Sequence, residues 1–422
     1  MVSSETTFQQ LAALVSASPT SYHAAREVAY QLTEAGFTEL DEAQPWPHGP
    51  GSYVVVRDGA VIAWRIPEDV DALTPFGVVA GHTDSPGFRI KPVPETKRSG
   101  WQSLNAEVYG GPLLNSWLDR DLRVGARLIL TDGSEALAVT GAVARIPQLA
   151  VHLDRKVNAE GLKLDAQQHT HAVLGLEDAP GILELLAQDA GVGAEEVRAF
   201  DAFFTDSQKP SRLGSNGELI ASGRLDNLVS IHAGLRALIA AEPLGIIPVL
   251  AGFDHEEVGS STRTGAGGPF LEDVLARIRE SLGASVSEER RAASQSWVIS
   301  SDVGHAVHPN YPERHDEDVR PIAGLGPIIK INADQRYVTD GAGEALWRQL
   351  SEDAGVPAQA FVSKNTMPCG STVGPIMATR LGMRTVDVGI PILSMHSARE
   401  LAVISDVSAL QQVLTEFFSH AH

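Results

Sequence analysis

The order of apolar runs predicts an α/β fold: a mixed, largely parallel sheet flanked by helices, interrupted by an inserted, mostly β domain. Three observations carry this. Short runs rich in β-branched residues, at 76–80, 246–253, 297–300, 328–331 and 385–388, alternate with segments of helical periodicity, as strands buried on both faces do. From Trp101 to about Gly217 the chain changes to short β-like runs and turn residues. Alternation of helix and strand resumes near Arg224. The chain therefore divides into a discontinuous α/β domain, 1–92 plus 218–422, around an insert, 93–217.

Taken in order, the first 45 residues read as helical, with apolar positions Phe8, Leu11 and Leu14 and again Val28 and Leu32. A hairpin follows, 53–56 and 61–66, with Asp58-Gly59 at its turn. The strand at 76–80 stops at Gly81-His82. Within the insert the β-like runs are 106–109, 126–130 and 137–144. A strong helix at 227–241 places Leu228, Ile231, Leu235, Leu238 and Ile239 on one face.

Composition excludes several classes of function. A formal net charge of -20, from 53 acidic and 33 basic residues, repels nucleic acid and anionic membranes. No stretch approaches the roughly 18 apolar residues of a membrane span, and residues 1–17 lack a basic region and read as an amphipathic helix. A single cysteine, Cys369, excludes an internal disulfide framework and fits a reducing, cytoplasmic setting. In a Gly-rich turn it reads as a packing residue and not as a nucleophile.

Four segments share one layout, a buried strand, a sharp turn and then metal-binding residue types. They lead to Gly81-His82-Thr83-Asp84, Asp254-His255-Glu256-Glu257, Ser301-Asp302 and Met395-His396-Ser397; a fifth, Arg224-Leu225-Asp226-Asn227, precedes the strong helix. In open α/β sheets ligands bind at the carboxyl ends of strands, so residues distant in sequence converge there. Each residue alone has an ordinary structural role. His82 or His396 is a structural histidine, Asp226 a helix N-cap, Asp302 a turn cap, Glu256-Glu257 a solvated loop. Together, His82, Asp226, Glu257, Asp302 and His396 form a nitrogen-and-oxygen set suited to two divalent ions, Zn²⁺ or else Mn²⁺ or Co²⁺. Two ions about 3.5–4 Å apart need a shared carboxylate and further ligands on each. Adjacent Glu256 and Glu257 point in different directions, so one can bind metal while the other serves as general base; spacing leaves open which. Metal-assisted hydrolysis follows, and a deacylase of N-acylated amino acids could use the same ligand set. A non-catalytic metal-stabilised scaffold is disfavoured, because a structural site needs no spare base.

At these residues the chain resembles the aspartyl aminopeptidase family of dinuclear zinc metallopeptidases, nearly end to end. The matching motifs include Gly81-His82-Thr83-Asp84-Ser85-Pro86, Tyr109-Gly110-Gly111, Asp254-His255-Glu256-Glu257-Val258-Gly259-Ser260, Ser301-Asp302-Val303-Gly304-His305-Ala306, Pro368-Cys369-Gly370-Ser371 and Met395-His396-Ser397-Ala398-Arg399-Glu400. The resemblance implies His82 and Asp302 on one zinc, Glu257 and His396 on the other, and Asp226 bridging. It implies Glu256 as base and Asp84 as the carboxylate that orients His82. It further implies that His305, Lys330 and Tyr337 contact substrate, and that His152 of the insert reaches a neighbouring subunit's site. The implied substrates are peptides with a free acidic N-terminus. The implied assembly is a dodecamer built from dimers, with the insert as dimerisation domain. One departure stands out. Lys364-Asn365-Thr366-Met367 precedes Pro368 where the family has an acidic residue, which puts the charge of the specificity pocket in question.

Overall fold

Four runs, Ile247–Phe253, Phe76–His82, Trp297–Ser301 and Arg384–Gly389, are buried almost throughout. Residues apolar on both faces can only sit in a sheet covered on both sides. In the computed structural model, which describes residues 3–422, these four strands lie side by side and mutually parallel at the centre of a nine-stranded sheet. The hairpin Gly51–Arg57 and Ala60–Ile66 joins one side antiparallel, with Thr38–Glu39 at the edge. Ile328–Ile331 joins the other side antiparallel and carries Gln359–Val362 parallel beside it.

Side chains alternate between two cores. Val79, Leu250, Ile299 and Val386 meet the helices Ser4–Ala17, Ser21–Glu34, Leu225–Ala240, Gly341–Asp353 and Ile404–Ser419. Val78, Val249, Ala251 and Val298 meet Phe270–Ser281 and Gly374–Leu381 on the opposite face. Register sets the strand ends level: Phe253 pairs with His82, Ser300 with Ala80 and Ser301 with Val388. The turns that follow therefore leave the sheet at one height.

A second, wholly antiparallel sheet of six strands draws on Gly87–Arg98, Trp101–Tyr109, Leu122–Leu130, Glu135–Val139, Ala172–Leu176 and Val197–Asp206. It has its own apolar core around Phe88, Leu104, Trp117, Val124 and Phe204, closed by the helix Ile182–Ala190. Ser211–Leu213 and Leu219–Ser222 then return the chain to the first sheet's surroundings by pairing with Glu400–Val403.

Three expectations need correction. The helical reading of the first 45 residues ends at Glu34, where Gly36 at φ +92° lets Phe37 N–H bond back to the Leu32 carbonyl. Its first two residues lie outside the described ones. The run 137–144 is a strand only to Val139. The helix at 227–241 carries a non-helical start, Asp226 at ψ 103° and Asn227 at φ -124°, and ends at Ala240.

The strand Arg384–Gly389 and the turn after Ser301 meet closely, since a Cβ on Gly389 would lie 1.8 Å from the Asp302 carbonyl oxygen. Gly389→Ala therefore destabilises the fold by about 1–3 kcal/mol, as overpacking does. Gly141→Ala, with nothing within 4 Å of the added carbon, stays within about 0.5 kcal/mol of wild type. Urea unfolding of both proteins checks this; equal midpoints would show that the close approach is not a constraint.

Candidate metal centre

Above the level strand ends, the predicted ligands come together. His82 is the last residue of its strand, Asp302 follows Ser301, Glu257 lies in the short turn Glu256–Val258, and His396 projects from a turn where its own φ is +65°. Asp226 does not cap its helix: no side-chain cap bond is made there, and the carboxylate turns toward the imidazoles.

The ligand atoms fall into two triplets that share Asp226. His82 Nε2 lies 3.3 Å from Asp226 Oδ1 and 3.6 Å from Asp302 Oδ1. His396 Nε2 lies 3.3 Å from Asp226 Oδ2 and 3.5 Å from Glu257 Oε2. Both imidazoles are turned by a backbone carbonyl: His82 Nδ1 is 3.0 Å from Asp84 O, and His396 Nδ1 is 3.0 Å from Gly111 O. Donation from Nδ1 leaves each Nε2 with its lone pair facing carboxylate oxygens. Acceptors then confront acceptors, and Asp226 Oδ1 is buried with no hydrogen-bond partner.

Positive charge is what this cage lacks. Burial opposes a charged His82, yet Asp226, Asp302 and Asp84 raise its pKa well above the ordinary value. Against the same opposition, Asp226 raises His396 to about 8. Divalent cations would meet that demand directly, and the donor set, two imidazoles and three carboxylates without sulfur, fits zinc. Charges so deeply buried persist only when paired or bound to metal.

The support is as ordered as the ligands. Asp84 Oδ1 accepts from the Glu256 N–H at 3.1 Å, and Oδ2 accepts from the Glu257 N–H at 3.2 Å and the Tyr109 hydroxyl at 2.7 Å. One buried carboxylate thus fixes the adjacent glutamates and stands 3.4 Å from His82. Glu400 does the same on the other side. Its two oxygens accept from the Asp226 N–H at 3.0 Å and the His396 N–H at 2.9 Å. Glu256 belongs to neither of the two triplets built on Asp226, although it can group with His82 and Glu257. Burial pushes it up to about 7, against the pull of His82 and with Asp302, Asp84 and Asp226 adding to the rise.

Of the residues expected to meet substrate, Lys330 and Tyr337 lie beside the centre and His152 does not. Lys330 is fully buried; its Nζ donates to Val303 O at 2.8 Å, lies 3.8 Å from Asp302 Oδ2 and stands 5.3 Å from the Tyr337 ring centre. His305 is exposed three residues beyond Asp302. His152 is exposed in the segment 147–156, and among the described residues no hydrogen bond or ion pair joins it to the centre. Cys369 packs, half-buried, against Ile328, Tyr337 and Phe361. Glu400, Tyr109 and Gly111 were not singled out from the sequence as site residues. The signal was present, since all three stand inside quoted motifs, but nothing in spacing says that a side chain or carbonyl there turns toward a ligand.

Comparison with known proteins gives consistent results. The M18 profile described as "Aminopeptidase I zinc metalloprotease (M18)" matches residues 14–418. A protein of Streptomyces avermitilis named "Probable M18 family aminopeptidase 2" is 49% identical over 416 residues, 96% of each chain. The structure is similar to a chain of the Ape4 and Nbr1 complex, with TM-score 0.95 and 33% identity over 98% of this chain and 86% of that one. It is also similar to the mApe1 dodecamer of S. cerevesiae, with TM-score 0.85 and 27% identity over 97% of this chain and 95% of that one.

Glu400→Gln must turn an NH₂ toward one of two backbone N–H groups. The expected result is a 10–100-fold weaker hold on zinc with secondary structure retained, the usual scale for an outer partner of a metal ligand. Chelator competition and circular dichroism measure the two; zinc affinity equal to wild type would show that Glu400 does not set the positions of Asp226 and His396.

Proposed function

The chain belongs to the M18 family of aminopeptidase I zinc metalloproteases, and from that membership we propose that it releases acidic residues, Asp and Glu, from peptide N-termini through a dinuclear zinc site. It is a metalloaminopeptidase by family; the count of ions and the acidic preference are the finer reading. The observation that carries the two-ion reading is the pair of triplets sharing Asp226. In it His82 and Asp302 would hold one zinc and Glu257 and His396 the other, with Asp226 shared between them. Divalent ions bound there supply Lewis acidity toward a carbonyl oxygen and an acidified water.

The chain's own groups do the rest. Glu256 takes a proton from the water as its oxygen adds to the first peptide carbonyl, and passes that proton to the amine nitrogen as the C–N bond breaks. Asp84 positions Glu256 through the backbone and orients His82. Lys330, beside the Tyr337 ring and 3.8 Å from Asp302, meets the side chain of the released residue in this reading, with Tyr337 and His305 as further substrate contacts. A cation so placed favours a substrate carboxylate over a neutral side chain.

Assembly completes the reading. The exposed loop carrying His152 also exposes Leu149, Val151 and Leu153, an apolar surface suited to a second copy. In our reading the insert dimerises, His152 enters the partner's cleft to meet the substrate carbonyl, and dimers build a dodecamer like the one whose fold it shares. Among the described residues no helix is long and apolar enough to cross a membrane. With the single cysteine and the acidic surface, this favours a cytoplasmic protein without nucleic-acid or membrane partners. Cell fractionation that found it membrane-bound or exported would reject that location.

One pair of variants tests base and assembly together. Glu256→Gln keeps its metal and loses about 10²–10⁴ in kcat, the scale of a general base; loss of zinc instead would exchange the roles of Glu256 and Glu257. His152→Ala is inactive for a different reason. Unfolded and reassembled together, the two regain about a quarter of wild-type activity, because half the dimers are mixed and each has one intact site. A mixture as inactive as its parents, with subunit exchange demonstrated, would place His152 outside the partner's site.

A further inference from the structure

An aminopeptidase stops the amino end of its substrate at the metal-facing carboxylates, so everything after the cleaved bond extends outward. Beside the centre, past Met395 and His305, a cavity opens whose polar lining includes His305, His308, Arg314, His315 and Lys364. Among the described residues no carboxylate lines it. In a chain of net charge -20 that exclusion is informative, because 53 acidic residues compete for every surface. The cavity continues the site. Met395 precedes His396, and His305 lies three residues beyond Asp302.

We propose that this cavity binds an acidic side chain on the leaving part of the substrate, at the residue just after the scissile bond. The proposal rests on the reading above in which Lys330 meets the released residue. Lys330 is buried, donating to the Val303 carbonyl at 2.8 Å and standing 3.8 Å from Asp302. The cavity's cations are held differently. Lys364 Nζ donates to the Glu313 carbonyl at 2.7 Å, which fixes the ammonium without neutralising it. Among the described residues Arg314 has one loose, exposed partner, Glu313 at 3.7 Å, which leaves most of its guanidinium donors free. Phe361, Met367, Ile392 and Leu393 provide apolar walls for the stem of a glutamate or aspartate.

The test compares kcat/KM for Asp-Glu-Ala and Asp-Gln-Ala at low ionic strength. A charge-assisted hydrogen bond gives about a tenfold preference for Glu. In an Arg314→Ala/Lys364→Ala double variant the ratio falls to about one, and Lys364→Glu shifts preference toward Asp-Lys-Ala. A wild-type ratio near one, or a ratio unchanged in both variants, overturns the proposal. Asp- and Leu-p-nitroanilides have no side chain after the bond and report the released residue alone. If their discrimination collapses in the Arg314/Lys364 variant, the cavity serves the released residue and the proposal is wrong. If Lys330→Met leaves that discrimination intact while the Glu-to-Gln ratio holds, the Lys330 reading fails and the cavity's does not.

Discussion

The carboxylate of Asp226 faces His82 and Asp302 with one oxygen and His396 and Glu257 with the other, in a part of the molecule from which water is largely excluded. Each imidazole is turned by a carbonyl so that its remaining nitrogen looks at carboxylates. Nothing hydrophobic could relieve such a group, and hydrogen bonds alone leave Asp226 Oδ1 unpartnered. The arrangement makes sense as the container of positive charge, and the rest of the fold is organised to hold it still. Four parallel strands of matched register bring the turns to one height, and two buried carboxylates, Asp84 and Glu400, tie those turns together through backbone N–H groups.

That construction makes the second sheet part of the site and not only an appendage. Tyr109 ends one of its strands and donates to Asp84, while Gly111, two residues on, accepts from His396. The approach is tight. Gly110 at φ +67° would place a Cβ 3.1 Å from the Glu257 Cβ, so a side chain there would press on a ligand. Loosening the insert would therefore move Asp84 and His396, one beside each half of the centre.

Much of this was legible in the sequence, for physical reasons. Strands buried on both faces must be continuously apolar, so a His or Asp at the end of such a run stands out, as His82 and Asp302 do. His82, Glu257 and Asp302 converge because their parallel strands end level, whereas Asp226 comes from the start of a helix and His396 from a turn beyond Gly389. What spacing could not reveal depends on tertiary neighbours. Glu400 reads as an ordinary charged residue until Asp226 and His396, separated from one another by most of the second half of the chain, are seen to share it. Lys330 lies within the strand Ile328–Ile331, and only the tertiary structure shows its ammonium buried beside the Val303 carbonyl and Asp302. The helix expected to 45 stops at Glu34 because Gly36 adopts a left-handed conformation, and a glycine's φ is invisible in periodicity. Among the described residues His152 shows no tie to its own chain's centre, and nothing in its local sequence says what it would meet.

The claim on which all else rests is that Asp226 is shared between two ions. Zinc titration of the metal-free protein, read by native mass spectrometry as ions bound per chain, tests it most directly. Sharing predicts two zinc ions in the wild type and no more than one in Asp226→Asn. A wild type that saturates with a single ion, or an Asp226→Asn protein that still holds two, would contradict it.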